Sequence, residues 1–157
     1  MIPAWRISIH SDLNGLGGER GDGRWHTAAQ GKRIVYLSEH PAVAVLESLV
    51  NLKGDPKFFP PTYQLLKIEI DKGVSIATLP DGALTESWRE DTKQARSLGD
   101  AWLAKKESAL LAVPSAPSPE SMNYVLNPLH PDAKGVTVEW VKRLRYDKRL
   151  FRLEDAA

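Results

Sequence analysis

The strongest constraint on the fold is how the hydrophobic period changes along the chain. A succession of short stretches with strand chemistry is interrupted by only two that repeat at helical spacing. Residues 4–9 alternate and carry β-favouring types, and Arg33–Leu37 and Tyr63–Ile70 read as strands, as do 74–79, Leu110–Val113, Met122–Leu126 and Val136–Leu144. The first helix is expected after Ser38-Glu39-His40-Pro41, with Ser38 as its cap and Pro41 in the first turn, where a missing N–H costs nothing. Its apolar stripe is Ala42, Val45, Leu46 and Leu49, widened by Val43 and Val50, and it stops near Gly54 and Pro56. The second helix is expected over 91–107, with Ala95, Leu98, Trp102 and Leu103 near one face. Helices that do not alternate with strands argue against a doubly wound sheet. The reading is a mixed α+β fold, one compact domain over 1–157.

Composition narrows the chemistry. The chain has no cysteine, which excludes disulfides, thiolate zinc sites and a thiol nucleophile. Its 21 basic and 20 acidic residues leave a net charge of +1, so there is no electrostatic footprint for non-specific nucleic-acid binding by this chain alone. The local exception is Lys142, Arg143, Arg145, Lys148, Arg149 and Arg152, either a solvated face or a docking surface for an acidic partner. No segment approaches the ~20 apolar residues that span a bilayer, and Met1–Arg6 lacks the features of a signal peptide, so a cytoplasmic location is expected.

Between the first two strands lies a run with five glycines, Leu13 to Gly23, ending in Arg24-Trp25. It contains neither a P-loop pattern nor the Gly-rich strand–turn–helix of a dinucleotide fold. Arg6 and Arg24 each stand beside a tryptophan; a guanidinium in such company is either a surface ion-pair partner or an anion clamp, because its planar fork grips phosphate at two points. Tyr36 points opposite to Val35 and Leu37 on the strand that feeds the first helix. Glu47 falls just off the edge of that helix's apolar stripe, a half-shielded position where surroundings can tune a carboxylate. Ser115 follows an apolar strand in Val-Pro-Ser-Ala-Pro, placed to hold a ligand or cap a turn; with no G-x-S-x-G elbow around it, it is not read as a nucleophile. His10, His26, His40 and His130 show no metal spacing, and no metal is assigned.

Taken in order, Trp5-Arg6-Ile7, Gly23-Arg24-Trp25, Val35 to Glu39, Glu47 in Ala-Val-Leu-Glu-Ser-Leu, Val113-Pro114-Ser115 and Asn127-Pro128-Leu129-His130-Pro131 resemble the RES domain, a toxin family named for its Arg, Glu and Ser. The match runs from about Trp5 to Leu150. One departure is the segment Asp22-Gly23-Arg24-Trp25-His26, where family members often have Gly-Gly-Arg-Trp-Asn. The resemblance implies an ADP-ribosyltransferase-like fold, a mixed sheet split around a cleft for NAD⁺, which would be substrate and not a prosthetic group. It implies the toxin of a toxin–antitoxin pair, cleaving the nicotinamide–ribose bond by hydrolysis or phosphorolysis, and a hetero-oligomer with a cognate Xre-type antitoxin. Carried over by position, Arg24, Tyr36, Glu47 and Ser115 would be catalytic. Arg6, Arg24, Tyr36 and Ser115 would bind NAD⁺, the arginines at the diphosphate, Tyr36 against the pyridinium and Ser115 at the carboxamide or ribose. The same site could instead transfer ADP-ribose to a protein, and a non-catalytic protein-binding module is a further reading, motivated by the basic C-terminal run and Phe58-Phe59.

Overall fold

The computed structural model describes residues 1–152; the last part of the domain expected over 1–157 lies outside the described residues. The strands are β1 (Ile2–Ile7), β2 (Val35–Ser38), β3 (Thr62–Ile70), β4 (Ile76–Thr78), β5 (Leu110–Pro114), β6 (Met122–Leu126) and β7 (Val136–Arg145). The helices are α1 (Pro41–Asn51) and α2 (Thr92–Lys105). All seven strands join one sheet in the order β4-β5-β6-β2-β1-β3-β7. The β4/β5 pair is parallel and every other neighbouring pair antiparallel, which is the expected α+β domain with a mixed sheet.

The sheet is most sparsely paired near its middle, between β2 and β1. β1 pairs along its whole length with β3, from Ile2 opposite Ile70 to Ile7 opposite Leu65, but meets β2 at one position, Trp5 opposite Ser38. Two well-formed halves therefore diverge from a single ladder rung, and the gap between them is where a cleft can open.

Pleating sorts the apolar residues into two cores, because successive side chains of a strand point to opposite faces. Leu110 and Leu126 pack with Val35, Leu37, Leu66, Ile68 and Ile70 in one. Their neighbours Leu111, Val113 and Val125 pack with Trp25, Trp88 and the inner face of α2 (Ala95, Trp102, Leu103) in the other. α2 forms where expected, capped by Asp91, whose carboxylate accepts from the Lys93 N–H, and ends with Lys106 in the left-handed region.

Two local expectations are corrected. Ser38 does not cap α1; it is the last residue of β2, and the cap is His40, whose Nδ1 accepts from the Ala42 N–H at 3.1 Å. The histidine wins because β2 runs one residue further before the chain turns. The inner face of α1 is also rotated from the predicted stripe. Val43 and Ala44 are its buried residues, while Leu46 is 38% and Val50 60% exposed. The helix borders a polar cleft as well as the core, and so its inward face carries Ala44, Glu47 and Ser48.

Candidate active site

The cleft has a volume of about 570 Å³ and lies where the two halves of the sheet part. β1 brings Trp5 and Arg6 to its wall, the segment before β2 brings Arg24 and Trp25, β2 brings Tyr36, α1 brings Glu47, and β6 brings Asn123. Four of the five residues singled out from the sequence thus line one space. The fifth, Ser115, lies immediately behind it.

Glu47 is the fixed point. Its Oε1 accepts from the Ser115 hydroxyl at 2.8 Å and from Asn123 Nδ2 at 2.8 Å. A carboxylate held through one oxygen by two donors is immobile, and the other oxygen is left for a ligand. Ser115 is fully buried, so what it touches is Glu47. The turn after β5 holds it there: its own N–H donates to the Ser121 carbonyl at 2.9 Å, and its hydroxyl accepts from the Ser118 N–H at 3.3 Å. Asn123 was missed in the sequence. The available signal was an asparagine, a type depleted in strands, inside Met-Asn-Tyr-Val-Leu two positions from the apolar Val125 that shares its face.

The two arginines differ. Arg6 is poorly paired: its Nε is buried without a partner and its Nη2 has only a 3.5 Å contact to the Ser8 hydroxyl. Burial lowers its pKa, with Asp12 partly offsetting the effect, which is the state of a cation short of an anion. Arg24 is anchored to the facing turn, donating from Nη1 to the carbonyls of Arg89 (3.2 Å) and Trp88 (3.5 Å), with its guanidinium 5.6 Å from the centre of the Trp88 ring. Tyr36 is held by its oxygen, which accepts from the Trp25 N–H at 3.2 Å and lies 2.6 Å from His26 Nδ1. Burial pushes the phenol well above its ordinary pKa and keeps it neutral.

The Arg24 segment is clamped from α2, another feature absent from the sequence reading. Arg96 Nε donates to the Gly23 carbonyl at 3.1 Å, and the Asp100 carboxylate accepts from the Thr27 N–H (2.8 Å) and hydroxyl (2.7 Å). Gly99 permits the approach: a Cβ there would overlap the Trp25 carbonyl.

A half-buried carboxylate pinned by a serine and an amide, in a cleft also lined by two guanidinium groups and a neutral phenol, defines a site for a polar, anionic ligand on a small split-sheet α+β domain. The RES domain model matches residues 3–149. The chain is 44% identical over 147 residues to "Toxin Res" of Pseudomonas putida strain KT2440, covering 94% of this chain and 98% of that protein. It is 34% identical over 158 residues to the "Prs ADP-ribosylating toxin" of Sphingobium sp. strain YBL2, covering 94% and 96%. Among solved structures, the M. tuberculosis MbcT–MbcA toxin–antitoxin complex contains a chain that superposes with a TM-score of 0.71 at 18% identity, covering 96% of this chain and 86% of that one. The chain belongs to the RES domain family.

Proposed function

We propose that this protein is the toxin of a toxin–antitoxin pair and that it cleaves the nicotinamide–ribose bond of NAD⁺. The observation that carries the reading is Glu47, held through Oε1 by Ser115 and Asn123 in a cleft that also presents Arg6, Arg24 and Tyr36. Loss of the cationic nicotinamide builds oxocarbenium character on the ribose. A fixed carboxylate lowers that barrier by holding the ribose hydroxyls and opposing the developing positive charge, as the paired carboxylates of glycoside hydrolysis do. Arg6 is matched to the diphosphate, since a phosphate oxygen supplies the partner its guanidinium lacks. Arg24 adds a second positive charge across the cleft. The Tyr36 ring offers the pyridinium an aromatic face. Ser115 acts by positioning Glu47, and not by touching the substrate. Water or phosphate takes the ADP-ribosyl group.

Incubating the purified chain with NAD⁺ should release nicotinamide together with ADP-ribose or ADP-ribose 1″-phosphate. E47Q should lower turnover by about 100- to 1,000-fold, the range for removing a preorganised transition-state charge. Undiminished turnover in E47Q removes Glu47 from the mechanism. The name of the Sphingobium relative favours a second reading, transfer of ADP-ribose to a protein, for which biotinylated NAD⁺ would leave its label on a macromolecule. The complex in which the MbcT fold was solved supports an antitoxin as partner; an Xre-type protein with a helix-turn-helix, encoded beside this chain, is the expected form.

A further inference from the structure

We infer that His26 is a positioning residue for Tyr36, acting as a neutral imidazole of fixed tautomer. The inference deepens the proposed function and rests on it only for its kinetic readout. His26 is 2% exposed and lies behind the cleft wall, and both of its ring nitrogens are engaged. Nε2 is 2.9 Å from the Gly18 carbonyl and Nδ1 is 2.6 Å from the Tyr36 oxygen. A carbonyl only accepts, so Nε2 carries the hydrogen, and a neutral ring then leaves Nδ1 with a lone pair. The Tyr36 hydroxyl must donate to that lone pair, while its oxygen accepts from the Trp25 N–H at 3.2 Å. The polarity of the whole chain is set, from the Trp25 N–H through the phenol and the imidazole to the Gly18 carbonyl in the glycine-rich loop.

Two consequences follow for the cleft. The phenol proton is spent on His26, so Tyr36 presents its ring to a ligand and not a hydrogen-bond donor. The ring's orientation also depends on a residue that does not line the cleft itself. Gly23 shows how tightly the arrangement is built: a Cβ there would overlap the Tyr36 oxygen and come within 2.8 Å of His26 Nδ1.

Conservative replacements separate the two ends of the imidazole. Asparagine places an acceptor near the position of Nδ1 and keeps the bond to Tyr36. Glutamine places its donor nitrogen near Nε2, keeps the tie to Gly18 and offers Tyr36 no acceptor. With the full chain, H26Q should raise KM for NAD⁺ by about tenfold, the ~1.4 kcal/mol scale of one buried hydrogen bond, with kcat within about threefold of wild type on the same scale. H26N should keep KM within about threefold of wild type. A purely structural loss would leave less folded enzyme, lowering apparent kcat at unchanged KM, and that result overturns the proposal, as does an equal KM effect in H26N and H26Q. Two readouts need no turnover. ¹⁵N-histidine NMR at neutral pH should show His26 protonated at Nε2 and bare at Nδ1; a protonated Nδ1 overturns the proposal. In thermal unfolding, H26Q should cost little further stability once Y36F has removed the hydroxyl, and additive costs overturn it. A wild-type chain that leaves NAD⁺ intact would sink the proposed function, and these two measurements would still decide the role of His26.

Discussion

At Glu47 two donors converge on one oxygen, and this sets what single substitutions should do. Ser115 touches the carboxylate and is closed to the cleft, so S115A should release Glu47 without removing a substrate contact. The expected outcome is a fall in kcat of about 10- to 100-fold, the cost of a misplaced catalytic group, with a smaller change in KM for NAD⁺; steady-state kinetics checks it, and a KM-only effect would contradict the positioning role. R6A should act the other way, chiefly on binding: removing a buried, poorly paired guanidinium relieves a desolvated charge while deleting the diphosphate clamp. The variant should be at least as stable as wild type in thermal unfolding and bind ADP-ribose about tenfold or more weakly by calorimetry, the range for a lost charged hydrogen bond. Arg6, Arg24, Tyr36, Glu47 and Ser115 were all legible as candidates, through their residue types and the order of short motifs. Asn123 and His26 were not, since their roles come from partners 76 and 10 positions away that no local pattern connects.

α2 acts as a brace for the Arg24 segment as well as a core helix. G99A should therefore be destabilising well beyond a normal helix substitution, even though alanine is the better helix former, because the added methyl has only the Trp25 backbone to displace. A loss of about 3 kcal/mol is expected from overpacking against backbone, measured by chemical denaturation. Asp100 gives the same brace a pH dependence. Burial would raise its pKa, but the two Thr27 hydrogen bonds, together with the nearby Lys32 charge, outweigh that and leave it lowered. A carboxylate with a depressed folded-state pKa stabilises fully above its unfolded value of about 4 and loses that contribution as the pH falls through the folded value. The stability difference between wild type and D100N should thus be constant above about pH 5 and shrink as pH drops below about 4; a difference unchanged down to pH 3 would show that the Thr27 bonds do not depend on the charge. α1 shows the limit of helix patterning: hydrophobic spacing marked one face for burial, and the cleft turned that face partly outward.

Across the whole molecule, the single β1/β2 rung makes room for the cleft, and the rest of the ladder keeps each half rigid. Amides of β3, which is paired on both sides, should exchange far more slowly than the β1 amides that face β2, as residue-resolved hydrogen exchange by NMR would read. The C-terminal basic run lies on β7, an edge strand, and on the turn beyond it; Lys142, Arg143 and Arg145 are exposed, and Arg149 pairs with Asp147 at 2.6 Å. Exposed charges on an edge strand discourage pairing with other chains. Expression of the wild-type chain alone should arrest growth with a fall in cellular NAD⁺, and E47Q should do neither.

Alternation, helical spacing and the glycine and proline positions settled the α+β class, the placement of both helices and nearly every strand, because each depends on residues close together in the chain. They also supplied the residue types of the site. Strand order, the one-rung junction, the rotation of α1 and the convergence on Glu47 were decided only in three dimensions. These depend on which distant segments lie side by side, and a hydrogen bond between positions 47 and 115 or 123 leaves no periodic trace in the sequence.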